Sequence, residues 1–334
     1  MQIAMIGLGR MGANLSRRLI RHGHNVVVSD HSAAAVETLA ADGATPASSL
    51  EDIVTKLAAP RAVWVMLPAG EATETTIDRL ADLLSPGDTI IDGGNTNWRD
   101  DLRRAAALKA RGIHHIDVGT SGGVLGATSG YCLMIGGDKT AVERLAPIFA
   151  ALAPGGNAAS GSSAQNSTAL DGWLHVGPNG AGHFVKMVHN GIEYGMMQAY
   201  AEGFQILAEA NDPSVPEAER MPLDIGAIAE VWRHGSIVES RLLDVTATAL
   251  AGDTSLAEFS GVVDDTGEGR WTIQTAIERA IPVATLSAAL YARFRSRRQP
   301  NFADKVISAM RRGFGGHGEA KIGEGRMKDK VQGQ

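Results

Sequence analysis

An α/β N-terminal domain followed by an all-α C-terminal domain is the fold this sequence predicts, on three observations. Short apolar runs alternate with amphipathic stretches through the first half. Strand signals almost vanish beyond a Gly-, Ala-, Ser- and Asn-rich segment at 154–171. A Gly-x-Gly-x-x-Gly turn stands between the first apolar run and the first amphipathic stretch. At 334 residues the chain exceeds one typical core, so two domains are expected.

The runs at 3–6, 25–29, 62–67, 89–92 and 115–118 read as buried parallel strands, with helices at 14–21, 33–41, 73–83 and 100–110 between them. A strand at 131–135 and a helix at 141–151 complete the α/β part. The segment 154–171 reads as a surface loop or interdomain connection. Helical patterns then follow at 183–210, 223–234, 239–250, 273–279, 283–297 and 302–312. We place a dinucleotide-binding domain at 1–176 and a helical substrate and dimerisation domain at 177–312. The Gly- and Lys-rich tail at 313–334 is expected to be flexible unless a partner orders it.

Hydrophobic residues make up 44% and charged residues 20% of the chain, which excludes wholesale disorder. A net charge of −6 lacks the dense basic surface that a nucleic-acid or membrane partner requires, although a local arginine cluster can still hold a small anion. Cys132 is the single cysteine, so no internal disulfide forms, which fits a reducing compartment. The first residues carry no basic n-region, and their apolar run breaks at Gly7 and Gly9; neither a signal peptide nor a membrane span is expected, and the cytoplasm follows by elimination. The ten histidines show no zinc-ligand spacing, so no metal site is expected, and His114-His115 reads as a strand edge.

Gly7-Leu8-Gly9-Arg10-Met11-Gly12 follows a strand and opens a helix, the context that makes the motif informative. Its first glycine permits the tight turn, its second lets backbone approach a pyrophosphate, and its third allows helix and strand to close up. A Rossmann-type dinucleotide-binding fold is therefore expected. The next strand ends near Asp30, where a carboxylate can accept hydrogen bonds from both adenosine ribose hydroxyls but repels a 2′-phosphate. His31 and Ser32 follow, with no arginine, so NAD is favoured over NADP. Leu67, Pro68 and Ala69, with Asn95, are further cofactor candidates at the ends of later strands.

In the helical pattern at 183–210, Lys186, Asn190 and Glu193 fall on one stripe with His189 at its edge, beside an apolar stripe of Val185, Val188, Ile192 and Met196. Such a polar stripe is either a solvated face or one wall of a site. Gly191 weakens a helix by roughly 1 kcal/mol relative to Ala, which points to close approach by another element.

The run Lys186-Met187-Val188-His189-Asn190-Gly191-Ile192-Glu193-Tyr194-Gly195 resembles the signature of the 6-phosphogluconate dehydrogenases. The likeness extends to Ile90-Ile91-Asp92-Gly93-Gly94-Asn95, Gly119-Thr120-Ser121-Gly122-Gly123, Gly130-Tyr131-Cys132-Leu133-Met134, Gly269-Arg270-Trp271-Thr272 and the stretch 311–317. It covers most of the chain, which in length is similar to the short bacterial form.

This resemblance implies oxidative decarboxylation of 6-phosphogluconate to ribulose 5-phosphate with reduction of NAD(P), within the pentose phosphate pathway. It implies that Lys186 is the general base at the C3 hydroxyl and Glu193 the acid that protonates C1 of the enediol. Asn95, Ser121, Gly122, Gly123, His189 and Asn190 match substrate-contacting positions, and Tyr194, Arg293, Arg311 and His317 match the phosphate site. The family's usual lysine before the GRW-type motif is missing; Asp264-Asp265-Thr266-Gly267 stands there, so Thr266 offers a neutral donor and Arg270 is a candidate to compensate. The family's C-terminal tail reaches the partner's site, which implies a homodimer or homotetramer with shared active sites. Two other readings remain open: another β-hydroxyacid dehydrogenase of the 3-hydroxyisobutyrate type, and a non-catalytic dinucleotide sensor.

Overall fold

The structure, a computed structural model, describes residues 1–155 and 168–319 and falls into two compact units, Met1–Met187 and the chain from Val188 onward. Among the described residues the first unit holds strands β1 (Gln2–Ile6), β2 (Asn25–Ser29), β3 (Thr45–Pro46), β4 (Ala62–Val65), β5 (Thr89–Asp92), β6 (His114–Ser121), β7 (Cys132–Gly137) and β8 (Trp173–Gly177). Between them run α1 (Arg10–Arg21), α2 (Ala33–Ala41), α3 (Leu50–Lys56), α4 (Glu71–Leu83), α5 (Trp98–Lys109), α6 (Gly126–Ser129), α7 (Lys139–Arg144) and α8 (Ala146–Leu152). Then come the long α9 (Ala181–Glu209), α10 (Ile225–Trp232), α11 (Arg241–Gly252), α12 (Glu268–Glu278), α13 (Ala284–Ser296) and α14 (Phe302–Gly315).

The sheet order is β3-β2-β1-β4-β5-β6-β7-β8, parallel except where β7 runs against β6. The chain winds outward from β1 to β3 and then returns to β4 on β1's other side. The reversal between β1 and β4 opens a crevice at the strands' carboxyl ends, where α/β sheets bind ligands. Alternation within each strand feeds two cores. Ile3 and Met5 join Leu15, Leu19 and Trp64 on one face, while Ala4 and Ile6 join Val63, Ile77 and Leu80 on the other. That double burial is why these strands read as unbroken apolar runs. In the second unit α10, α11 and α14 enclose a core with Met197, Ala201 and Phe204 of α9. None of the helices among the described residues is long and apolar enough to cross a membrane.

Several boundaries differ from the sequence expectation. The helix at 141–151 is two helices, because Pro147 cannot donate a backbone hydrogen bond and sits at the start of α8. β3 and α3 carry no expected counterpart; β3 is a two-residue edge strand containing proline, too short to show a period. β8 appears where only loop and helix are expected, and Trp173 is its one buried residue. α12 begins at Glu268 rather than 273. α14 continues past Arg312 to Gly315, stopped by Gly316 in the left-handed conformation at φ +61°. The connection at 156–167, and the tail from 320 onward with its proposed reach to a partner, lie outside the described residues.

The start of α9 is pressed into the sheet. A Cβ on Gly182 would collide with the Asp117 carbonyl oxygen and lie 2.5 Å from that of Met134. A Cβ on Gly136 would lie 2.6 Å from an Asp117 carboxylate oxygen. Because the obstacles to Gly182 are backbone atoms, Gly182→Ala is expected to destabilise the protein by about 3 kcal/mol, the upper end of ordinary overpacking. Urea unfolding measures this; a loss within about 0.5 kcal/mol, typical of unconstrained surface sites, would mean that the helix is not wedged there.

Candidate active site

The Gly7–Gly12 turn carries the chain from β1 into α1. Gly7 has φ +91°, and a side chain there would strike the Met66 carbonyl; one on Gly12 would strike the carbonyl of Gly7. Gly9 instead faces open space, and as the residue preceding α1 it supplies no side chain to its first N–H groups. The first N–H groups of a helix, its positive end and room for approach make a pyrophosphate cradle. Asp30 directly follows β2 with its carboxylate turned inward, accepting from the N–H of Leu8 at 2.6 Å and of Ser32 at 2.8 Å. His31 Nδ1 lies 3.0 Å from Oδ1 while its ring is exposed. An ionised carboxylate has about four acceptor positions, so ribose hydroxyls can still be received. These residues fit a dinucleotide.

Arg10 and Gly9 are exposed beside the cradle, and Met11 is half-buried. A Cβ on Gly7 would lie 2.8 Å from the Leu67 side chain, and one on Gly94 2.7 Å from the Leu67 carbonyl oxygen. The ends of β1, β4 and β5 are therefore gathered together, with Pro68, Ala69 and Asn95 exposed on them. At the end of β6, Ser121 pairs across the ladder with Cys132. Gly122 at φ +134° and Gly123 at φ +51° follow it. A Cβ on Gly119 would collide with Cβ of Lys186, so the lysine stem lies directly against this strand. Lys186 is buried, and burial pushes the nearby Cys132 thiol up against the opposing pull of Lys186.

Glu193 lies seven residues beyond Lys186 on α9, about 10 Å along the axis and just short of two full turns. His189 Nδ1 is 3.0 Å from Asn190 Oδ1 and 3.8 Å from Glu193 Oε2. Gly191 admits α12: a Cβ there would sit 2.8 Å from Thr272 Cγ2. The stripe of Val185, Ile192 and Met196 is exposed, whereas Lys186, Met187, Tyr194 and Met197 are buried. The Arg293 guanidinium caps the Tyr194 ring 3.3 Å from its centroid and donates to the Asp264 carbonyl at 3.2 Å. Burial holds Arg293 below the ordinary arginine range, with Arg311 adding to this and Tyr194 and Glu193 opposing it. Arg311 is itself buried, so two guanidinium groups, a phenol and a carboxylate share one neighbourhood.

Thr266 sits at that neighbourhood's edge, its N–H 3.4 Å from the Tyr194 hydroxyl that accepts it. Its hydroxyl donates to Glu268 Oε2 at 2.5 Å. Arg270, the candidate to replace a lysine, places its fork on Asp265 at 2.8 and 3.0 Å and stacks on Phe294. Arg297 holds the same carboxylate at 2.6 Å. His317 follows the end of α14, where its N–H donates to the Arg311 carbonyl at 3.3 Å and its ring meets Phe314.

Sequence reasoning missed a buried charge network beneath Lys186. Asp117 on β6 accepts from the N–H of Gly180 at 2.7 Å and of His183 at 3.0 Å, capping α9 from the sheet. His183 Nδ1 is 2.7 Å from Asp101 Oδ2. Burial disfavours the His183 imidazolium, yet Asp101, Asp92 and Asp117 together push it up to about 10. Burial pushes His115 down to about 4, so its ring is neutral. Asp92 accepts from Gly94 N at 3.0 Å, Thr96 Oγ1 at 2.8 Å and Arg104 at 2.9 Å. Asp92, Asp101 and His183 bring three ligand-type atoms within 4.8 Å of one another, but Arg104 and His183 already supply positive charge there. The signal available in the sequence was Asp117 itself, an acidic residue in a run otherwise fit for a doubly buried strand.

Residues 2–161 match the NAD binding domain of 6-phosphogluconate dehydrogenase, and residues 182–313 match that enzyme's C-terminal domain. The NAD(+)-dependent, decarboxylating 6-phosphogluconate dehydrogenase of Haloferax volcanii is 39% identical over 322 residues, covering 96% of this chain and 99% of that enzyme. Among solved structures, Plasmodium falciparum 6-phosphogluconate dehydrogenase, studied free and in complex with NADP+ and with 6-phosphogluconate, superposes with a TM-score of 0.73 at 29% identity. That match spans 89% of this chain and 62% of the Plasmodium chain. The 3-hydroxyisobutyrate dehydrogenase of Salmonella typhimurium gives a TM-score of 0.69 at 21% identity over 92% of this chain and 98% of that one, a likeness of fold alone.

Asp30→Ala removes the carboxylate expected from the sequence to meet the ribose and frees the Leu8 and Ser32 amides that it holds. The NAD-over-NADP preference in kcat/KM is expected to fall by about 10- to 100-fold, the value of one or two hydrogen bonds to a charged group. An unchanged preference would remove Asp30 from cofactor selection.

Proposed function

The chain belongs to the 6-phosphogluconate dehydrogenase family, and from that membership we propose that it oxidises and decarboxylates 6-phospho-D-gluconate to D-ribulose 5-phosphate and carbon dioxide, with NAD favoured over NADP. The observation that carries this reading is the pairing of Lys186 and Glu193 on one helix, the lysine stem buried against Gly119. A 3-hydroxyisobutyrate-type oxidation needs a base but no acid for an enediol, so Glu193 favours the decarboxylating reaction.

Bound nicotinamide supplies the hydride acceptor. In this reading neutral Lys186 takes the C3 hydroxyl proton as hydride leaves C3. The product is a β-keto acid; as its C1 carboxylate departs as carbon dioxide, protonated Lys186 gives its proton to the ketone oxygen, leaving an enediol. Glu193 protonates the former C2, which becomes C1 of ribulose 5-phosphate, and Lys186 takes back the enediol hydroxyl proton as the product's ketone forms. The amides and hydroxyl at Ser121, Gly122 and Gly123, with Asn95, His189 and Asn190, hold the sugar-acid portion. Arg293 and Arg311 supply the charge that selects the phosphate, assisted by Tyr194 and His317. Thr266 contributes through its backbone side of the site, because its hydroxyl is engaged by Glu268. We place the activity in the cytoplasm, which the lone Cys132 supports.

Initial rates with 6-phosphogluconate should yield reduced nicotinamide and carbon dioxide in equal amounts. Lys186→Met and Glu193→Gln are each expected to lower kcat by about 100- to 10,000-fold, the usual worth of a general acid or base. Reduced nicotinamide without carbon dioxide, or preferred turnover of unphosphorylated hydroxy acids, would favour the 3-hydroxyisobutyrate-type reading.

The chain is further proposed to form a homodimer or homotetramer with shared active sites; Arg311 lies buried beside Arg293 of its own chain, so His317, beyond α14, is the residue proposed to serve a partner's site. Exposed Val185, Ile192 and Met196 on α9 support a subunit contact. Mixing Lys186→Met protein with His317→Ala protein under conditions of subunit exchange should restore more activity than either has alone, since a hybrid then holds one intact site. Exchange without recovery would assign His317 to its own chain's site.

A further inference from the structure

His183 precedes Lys186 by three residues, one turn earlier on the same side of α9 and about 4.5 Å along its axis. It is 2% exposed. Its ring is held by Asp101 of α5, and its backbone N–H by Asp117 of β6. Asp117 lies two residues before Gly119, the glycine against which the Lys186 stem rests. Asp101 belongs to the helix that follows Asn95, and Arg104 on that helix grips Asp92, whose carboxylate shapes the Gly94 turn. One chain of buried charges thus joins the Asn95 turn, the strand leading to Ser121 and the first turn of α9. His183 is the member that belongs to the lysine's own helix.

We propose that His183 is a positioning residue for Lys186, fixing the height and rotation of the first turns of α9 through its buried pair with Asp101. This rests on Lys186 being the base and adds to the reaction a residue that touches neither substrate nor cofactor. The buried pair of the His183 ring and Asp101 permits little movement, because any displacement breaks the Nδ1–Oδ2 contact away from water. The amine therefore reaches the C3 hydroxyl from a helix that is already locked. The Asp101 partner also explains the choice of histidine: its Nδ1 is the ring nitrogen nearer the backbone, within reach of α5.

The test compares His183→Asn, whose amide nitrogen can stand where Nδ1 stood, with His183→Leu, which fills the space without a donor. His183→Leu is expected to lose about 10- to 100-fold in kcat, the usual cost of misplacing a reacting group by about an ångström. The KM for 6-phosphogluconate and the NAD affinity should stay within about threefold, which by the free-energy relation is under 1 kcal/mol. The isotope effect with substrate deuterated at C3 should rise as chemistry becomes limiting. His183→Asn should recover most of kcat. Rates are normalised to NAD-binding sites, so that loss of folded protein is not counted as loss of positioning. If His183→Leu does not fold, Asp101→Asn serves instead; it keeps an acceptor for Nδ1–H but removes the charge, and kcat should fall with the same unchanged KM. Wild-type kcat per site in the variant that folds, or a rise in KM without a change in kcat, would overturn the proposal while leaving the base assignment standing. Undiminished turnover by Lys186→Met would overturn both.

Discussion

The wedging of α9 against β6 and β7 is the constraint from which the arrangement around Lys186 follows. Glycines at 119, 136 and 182 remove the side chains that would hold helix and sheet apart. The first N–H groups of the helix then find their acceptor in the Asp117 carboxylate on a strand, rather than in a local cap. A lysine carried on a helix anchored in this way has its backbone placed by the sheet. The stem lies against Gly119, two residues past the last β6 residue paired with β5, on the side of the sheet where parallel strands open their crevice. Loops alone would fix such a group less tightly.

In the first unit Asp92, Asp101 and Asp117 each accept hydrogen bonds, as buried carboxyl groups generally do, although Asp101 Oδ1 and His183 Nε2 find no hydrogen-bond partner among the described residues. Asp92 is met by Arg104, Asp101 by His183, and Asp117 by two amides. The second unit works differently. Arg293 stacks on a phenol ring and donates to a carbonyl, with Arg311 near enough to disfavour its charge. Two guanidinium groups under mutual repulsion are stabilised by an anion, which is the property a phosphate subsite requires. Nearby, Asp265 draws Arg270 and Arg297 onto itself, so positive charge in the sequence around the GRW motif is neutralised within the fold.

How far the site could be read from the chain varies with the range of the interactions involved. The Gly7–Gly12 turn and Asp30 are local: a strand, a turn and a helix start lie within a few residues, and sterics at Gly7 require glycine whatever the rest of the protein does. Periodicity likewise disclosed the doubly buried strands and the long α9. It did not disclose β3, whose two residues carry no period, or the break at Pro147 between α7 and α8. The stripe of Lys186, Asn190 and Glu193 was visible, but not which side of the helix is enclosed. Val185 and Ile192 are exposed while Lys186 is buried, the reverse of what hydrophobicity alone suggests.

By itself the sequence determined the alternation of strand and helix, the glycine turn between β1 and α1, the acidic residue after β2 and the helix that bears the lysine and glutamate. These depend on residues adjacent in the chain or one helical turn apart, where backbone sterics and side-chain period act directly. Only the tertiary structure decided that Asp117 caps a helix more than sixty residues away, that His183 pairs with Asp101, and that Arg270 is taken up by Asp265. Those outcomes are settled by which charges become buried together, and burial is a property of the packed molecule that no local pattern contains.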